Sequence, residues 1–319
     1  MTWIASTNAE RRTQLGQFLL GTGNIGGIGL ATGPGIGLSP EEGLQLIERA
    51  AGAGFRVFDT ADAYTGGTSQ LVVGTWNKAH PDRTVLTQTK TGVTDKGPNL
   101  TPERIRRQLA QSTAVLGHVD LYLAHVVDPE TPWEKSLPVF HDAIEDGTIS
   151  AYGLSNVDAP QLAAALDAAD RLRIHRPEII QNSYSLLDRS DDHEVLPLVH
   201  AEGLAYTPYS PLAKGLLAGR YSNGEVPAPG SRAGATGHTN AYLSNPEVMA
   251  TIRRFDDLAK DLRISPAGLA LGWLINHAVV TAPVVAFSRE SHWTGVDEAR
   301  ELHWTPAVNG ELDEMFPAR

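Results

Sequence analysis

Four polar residues stand where short apolar runs end. VFDTADAYTGG closes its apolar lead-in on Asp59 and places Tyr64 five positions later, VLTQTK ends on Lys90, and DLYLAH ends on His125. Each has a plain structural role open to it. Asp59 can cap a loop, Tyr64 can keep its hydroxyl in water, Lys90 can be a solvated loop end, and His125 can be a hydrogen-bonded core histidine. Together they make a proton donor to a carbonyl oxygen. A phenol of ordinary pKa, about 10, is a slow acid at neutral pH. An ammonium held against a phenol favours phenolate, and a shift to near 7 takes about 4 kcal/mol of differential stabilisation. An ammonium buried alone tends to lose its proton, so a neighbouring carboxylate is needed to keep it charged. Neutral imidazole can donate one hydrogen bond to the substrate oxygen and orient it. Tyr64 is then the acid, Lys90 its cation, Asp59 the counter-ion and His125 the orienting donor. No serine, cysteine or metal cluster presents itself to attack the carbonyl carbon, so hydride from a nicotinamide cofactor is the matching reagent. A Schiff-base enzyme using Lys90 as nucleophile is a competing reading.

These residues can meet only if successive strands carry them to one end of a sheet. Eight apolar, β-branched-rich runs predict strands at Gln17–Leu20, Arg56–Phe58, Thr84–Thr87, Asp120–Leu123, Ile149–Tyr152, Glu178–Ile180, Leu204–Thr207 and Val279–Val285. Near-continuous apolarity suits strands buried on both faces of a parallel sheet. Between them lie helix starts in which a capping side chain precedes a proline, at Ser39, Thr101, Thr131, Asn245 and Ser265. Glu42 and Glu134 stand where capping boxes need them. Glycines 54, 117, 147 and 203 stop helices before the next strand. Eight such units close most economically into a (β/α)8 TIM barrel, a single domain over residues 1–319 with long loops on the C-terminal face, where barrel chemistry sits. A doubly wound sheet is the alternative. Ala31–Leu38 and Tyr221–Tyr242 fall outside the alternation, and loops this long are usually functional or disordered. GTGNIGGIG has a GxG spacing but no helix opening directly after it, so it is not read as a dinucleotide fingerprint.

Composition narrows the class. A net charge of -11 argues against nucleic acid and anionic membrane as partners. With no cysteines, disulfides, thiolate catalysis and cysteine-ligated metals are excluded, and no metal site is expected. The uncharged run from Pro266 to Ser288 contains Asn276, His277 and Pro283 and reads as a buried helix followed by a buried strand rather than a membrane span. The first twenty residues lack the continuous apolar core of a signal peptide, and a cytoplasmic protein is expected.

With these residues in view, the chain resembles the aldo-keto reductase superfamily along nearly its whole length. FDTADAYTGGTSQLVVG, TKTG and DLYLAHVVDPETP are similar to the segments that carry that family's catalytic tetrad, here Asp59, Tyr64, Lys90 and His125. The resemblance implies a (β/α)8 barrel, carbonyl reduction, and a nicotinamide cofactor lying across the C-terminal mouth. It also implies cofactor contacts from Gly21, Thr22 and Asp59; from Ser155 and Asn156 in YGLSN and Gln181 in IIQNSYSLLDR; and from Tyr209, Ser210, Pro211, Leu212 and Gly215 in YSPLAKGLLAGRY, with Arg220 near. Arg232 in PGSRA matches an arginine that reaches a 2′-phosphate, and the last strand contributes Phe287, Ser288 and Arg289. There the sequence departs from the family: Ala286 and Phe287 replace smaller residues, His292 stands near a glutamine position, and a Glu-Asn pair is missing unless Asp297 and Glu298 substitute. Three arginines, 220, 232 and 289, suit an extra phosphate, so NADPH is the expected cofactor with NADH the alternative. The DPETP run and the SRA loop are similar to the subgroup of aflatoxin-aldehyde reductases and potassium-channel β subunits. That implies either a reductase of aldehydes or ketones, keto-sugars and xenobiotic carbonyls included, or a redox-sensing module that holds NADP and turns over slowly. Trp3, Trp133 and Trp293 are aromatic candidates for the substrate pocket, which the sequence does not otherwise define.

Overall fold

Strand β1 (Leu19–Gly21) lies between β8 (Val284–Val285) and β2 (Val57–Asp59), and the sheet continues through β3 (Leu86–Thr91), β4 (Leu121–Ala124), β5 (Ala151–Ser155), β6 (Ile179–Gln181) and β7 (Ala205–Tyr206), all pairs parallel. This computed structural model describes residues 3–32, 36–82, 84–222, 225 and 240–318. The two sheet ends meet where the chain enters β8. Tyr206 bridges Val280 in parallel, and the Thr281 and Val284 amides each donate at 2.8 Å, to the Tyr206 and Pro208 carbonyls. That closure makes a (β/α)8 barrel and rules out the open, doubly wound sheet. The eighth strand, expected over Val279–Val285, ladders regularly only at Val284–Val285, because Thr281 is spent on the seam and Pro283 has no amide to donate. The third strand runs to Thr91 instead of stopping at Thr87, which sets Lys90 inside it.

Side chains alternate across each strand, so residues two apart share a face. Leu19, Val57, Leu86, Leu121, Leu123, Ala151, Ile179, Ala205, Ala282 and Val284 pack together inside the barrel, with Ile4 and Leu15 below them. Their neighbours Leu20, Phe58, Tyr122, Tyr152, Ile180, Tyr206 and Val285 pack outward against the helices. Above that apolar floor, the same phase brings Asp59 and Gln181 to the inside two residues on, and Lys90 four residues on from Leu86.

Strand β3 breaks the expectation of apolarity, since LTQTKT is wholly buried beyond its first residue. Its outward threonines are matched by polar side chains. The Asn77 amide donates to Thr87 Oγ1 at 3.1 Å, the Gln70 amide donates to Thr89 Oγ1 at 2.7 Å, and Thr91 Oγ1 donates to Asp62 at 3.0 Å. Burial of such groups is tolerated because each finds a partner.

Helix starts follow the cap signals at Ser39, Asn245 and Ser265, and Ser39 and Glu42 close a full capping box. Two of the expected caps do not form. Thr101 makes no capping bond and instead donates to Asn99 at 2.8 Å. The helix Trp133–Glu145 begins one residue late, capped by Pro132, so Thr131 and Glu134 form no box. Two boxes without the cap-proline signal went unexpected, Thr7 with Glu10 and Asp158 with Gln161. The four stop glycines take positive φ, between 65° and 89°. The run after Pro266 divides into the helix Pro266–Asn276 and β8, and no helix among the described residues is long and apolar enough to cross a membrane.

Residues 3–15 seal the N-terminal end of the barrel. The Trp3 and Ile4 amides donate to the Glu178 carboxylate. Arg11, buried, donates to the carbonyls of Ala5, Ser6, Gly203 and Leu204. Arg12 reaches those of His277, Val280 and Thr281. No sequence signal pointed to this plug.

Candidate active site

Tyr64 lies on a 3-10 turn, Tyr64–Gly67, between β2 and the helix Thr68–Ala79. Thr65 and Gly66 take left-handed backbone there, φ 51° and 63°. Thr65 staples the turn to the loop after β1: its amide donates to the Gly29 carbonyl and its hydroxyl to the Ile25 carbonyl, each at 2.8 Å. The Tyr64 ring rests against Gly23, where a β-carbon would stand 3.3 Å from it. A β-carbon at position 23 would require the ring to give by a few tenths of an ångström.

The phenol points at Lys90. Fully buried, the Lys90 ammonium donates to the Asp59 carboxylate at 2.7 and 2.8 Å, to the Thr60 carbonyl at 2.8 Å and to Tyr64 Oη at 3.3 Å. Three hydrogens meet three acceptor groups. Burial pushes the ammonium toward losing its proton, but the charge and hydrogen bonds of Asp59 and Tyr64 outweigh it and the net direction is upward. A charged lysine with every hydrogen committed is not a free amine nucleophile. Asp59 is steadied in turn by the Gln88 amide at 2.6 Å and the Gln181 amide at 3.4 Å. Gln88 was not foreseen, although counting two back from Lys90 along one strand would have found it.

His125 follows β4, with its amide donating to the Thr91 carbonyl at 2.7 Å. Its ring stands edge-on to Tyr64, centroids 5.5 Å apart and planes at 81°. Burial, then the Lys90 charge, lowers its pKa to about 3, so the imidazole is neutral at physiological pH. Asp59, Tyr64, Lys90 and His125 thus converge at the C-terminal mouth. A neutral ring donor and a phenol backed by a cation face one small region, which suits donation to an oxygen that becomes negative.

The other anticipated positions ring this mouth. Gly21 pairs with Asp59 in register, and the Thr22 hydroxyl donates to the Asp59 carbonyl at 2.9 Å. Ser155 donates to the Gln181 carbonyl at 2.7 Å. Asn156, at φ 57°, donates to the His125 carbonyl at 2.8 Å and accepts from Tyr209 Oη at 2.6 Å. Ser210, Ala213, Lys214 and Gly215 all hold positive φ in the loop that also contains Pro211 and Leu212. Ser210 Oγ is buried without a partner. Arg220 meets His292, whose pKa falls to about 4 through burial and the charges of Arg220 and Arg289. Ser288 is exposed, its amide donating to His292 Nδ1 at 3.2 Å. Phe287 points its ring away from the mouth, stacked on Trp293 at 3.9 Å. Arg232 and most of the Tyr221–Tyr242 loop lie outside the described residues. The tryptophans do not line the mouth: Trp133 and Trp293 are buried in the outer core, and Trp3 belongs to the plug at the far end. Among the described residues one cluster, His141, Glu145 and His175, brings metal-ligating atoms within 4.8 Å of one another. It lies before β6, on the opposite end of the barrel from the tetrad.

A model of the aldo/keto reductase family matches residues 19–316. The chain belongs to this family. Among similar proteins is the NADH-specific methylglyoxal reductase of Escherichia coli, 31% identical over 74% of this chain and 75% of that one. The versiconal hemiacetal acetate reductase of Aspergillus parasiticus is 29% identical over 88% of each chain. A probable voltage-gated potassium channel subunit beta of Oryza sativa is also 29% identical over 88% of each. Aldo/keto reductases work with nicotinamide cofactors on small carbonyl compounds, and the barrel mouth described above is where such chemistry belongs.

Proposed function

We propose that the protein reduces an aldehyde or ketone to the alcohol, with Tyr64 as general acid. The contact of the Lys90 ammonium with Tyr64 Oη at 3.3 Å carries this reading. The substrate oxygen sits between Tyr64 Oη and the neutral His125 ring, which holds it in place. As negative charge grows on that oxygen, Tyr64 passes its proton across, and Lys90 stabilises the phenolate left behind. Asp59, held by Gln88 and Gln181, keeps Lys90 charged throughout. A bound nicotinamide supplies the hydride.

The residues present fit such a cofactor. Ser210 Oγ lacks a partner although buried, and non-glycine residues at positive φ, such as Ser210, Ala213 and Lys214, concentrate where function demands a strained backbone. Ser155, Asn156 and Gln181 would hold the nicotinamide end, with Tyr209 beside it, and Gly21 and Thr22 at the rim. Arg220 and Arg289 lie close enough to repel one another, and among the described residues neither is paired with a carboxylate. Two such cations suit a phosphate, which supports NADPH over NADH.

The test is consumption of NADPH and of NADH with a panel of aldehydes, ketones, quinones and keto-sugars, wild type beside Tyr64→Phe. Turnover that vanishes in Tyr64→Phe while the cofactor still binds is the expected result. Undiminished turnover in that variant would make Tyr64 a bystander, and a larger kcat/KM with NADH would overturn the cofactor assignment.

A further inference from the structure

Three side chains come together at the N-terminal end of the barrel. His141 and Glu145 stand four apart in the helix Trp133–Glu145, so they share a face, one above the other. His175 comes from the loop between the helix Ala159–Leu172 and β6. One nitrogen of each ring and one carboxylate oxygen lie within 4.8 Å of one another. The two rings stand 5.2 Å apart, centre to centre, with their planes at 43°.

The set is held from several sides. The Tyr152 hydroxyl donates to the His175 carbonyl at 2.7 Å, which fixes the backbone there. The His175 amide donates to His141 Nδ1 at 3.4 Å. That nitrogen therefore carries a lone pair, and only a long bond competes for it. His175 Nε2 meets Glu145 Oε1 at 2.8 Å, with the two side chains 20% and 62% exposed. The same bond holds the Glu145 carboxyl below the ordinary carboxylate range, in the charged form that a metal takes. The helix ends at Glu145 with no basic residue in its last turn, so the negative end of its dipole has no lysine or arginine of its own helix beside it. Arg176, the chain neighbour of His175, is committed to Asp170 and Glu202.

We propose that His141, Glu145 and His175 bind one divalent cation of the zinc class, which clamps the helix Trp133–Glu145 to the loop leading into β6. Two imidazoles and a carboxylate suit zinc, nickel, cobalt or copper, whereas magnesium and calcium take oxygen ligands. No metal was expected of a chain without cysteine, but this set needs no thiolate. Ligands about 2.0–2.1 Å from a tetrahedral ion stand about 3.4 Å apart. Reaching that spacing asks for small side-chain rotations, for which the exposed Glu145 has most room. The ion displaces the hydrogen shared by Glu145 and His175, which passes to the other ring nitrogen or to water. Three protein ligands leave a fourth position for water. The tetrad lies at the other end of the barrel, which makes the ion a clamp and not a reagent.

Chelator-stripped protein titrated with zinc in a calorimeter should bind one equivalent, undiminished by excess magnesium. Because the chain has 11 histidines, variants decide where the ion sits. Losing a group that only supports a ligand costs about 10–100-fold in metal affinity. His141→Ala, His175→Ala and Glu145→Gln, which remove ligands, should each weaken zinc binding at least about tenfold. Zinc should also raise the wild-type Tm, since an ion bound to the folded chain stabilises it by mass action, and each variant should lose that rise. No saturable zinc binding by wild type would overturn the proposal whether or not the variants fold. So would a zinc affinity, or a zinc-dependent rise in Tm, that is the same in the folded variants as in wild type; such an ion is adventitious and held by other histidines.

Discussion

Lys90 carries the site's electrostatics, and its surroundings say what its loss does. Both members of the Lys90–Asp59 pair are buried, the side chains 0% and 3% exposed. Lys90→Met therefore strands a carboxylate with only two amides beside it. Breaking a buried pair from one side costs about 3–5 kcal/mol, so denaturant unfolding should show a loss of that size together with the loss of carbonyl reduction. Tyr64→Phe is different in kind. Its hydroxyl takes one bond from Lys90, at 3.3 Å. Stability should change little while kcat/KM drops about 10²–10⁴-fold, the usual contribution of a general acid. His125 makes a prediction in pH. Its folded pKa of about 3 lies below the unfolded value of about 6.5. The unfolded chain thus binds the extra proton between those limits, and stability falls as pH drops below about 6.5, by up to about 1.4 kcal/mol per pH unit. Unfolding at pH 7 and pH 5 should show a smaller difference in His125→Gln than in wild type; an equal difference would contradict the shift.

Strands position these residues by phase. In β3 the inward positions are Leu86, Gln88 and Lys90, and a slip of one residue would exchange them for Thr87, Thr89 and Thr91. The outward threonines resist that slip because Asn77, Gln70 and Asp62 are placed to meet them. Strand β5 depends on a close approach. A β-carbon at Gly153 would stand 2.4 Å from the Ile179 carbonyl oxygen of β6, so Gly153→Ala must force the two strands apart. A loss of about 1–3 kcal/mol is expected, with weaker activity, because Ser155 and Gln181 lie at the tops of the same strands. An unchanged Tm would show that the barrel yields there. On the surface, Asp158 caps the helix Ala159–Leu172 through a capping box. Asp158→Ala should cost about 1 kcal/mol and leave kinetics alone.

At the scale of the whole molecule the two ends of the barrel divide the work. Residues 3–15 close the bottom and the loops at the top hold the candidate site, with the apolar column between them. Arg11 holds the plug through four backbone carbonyls. Bonds to a charged donor contribute about 1.5–3 kcal/mol each when their loss leaves buried groups unpaired. Arg11→Ala should lower stability by at least about 2 kcal/mol while kcat/KM at 25 °C stays at the wild-type value. Altered kinetics at that temperature would mean that the ends are coupled.

The barrel, and the meeting of Asp59, Tyr64, Lys90 and His125 at its mouth, were legible in the residues because their signals are local. An apolar run, a cap and proline, and a stop glycine each act within one turn or one strand, and a polar residue at the end of such a run marks a strand mouth. Gln88, the Arg11 plug and the seam between β7 and β8 were not legible. Each depends on which face of a strand turns inward, or on partners far apart in the chain, 75 residues for Tyr206 and Thr281 and 175 for Trp3 and Glu178. Sequence spacing carries the period of a strand; only packing against the neighbouring strands and helices chooses its phase. That choice, made when the barrel closes, buries the Lys90 ammonium against Asp59.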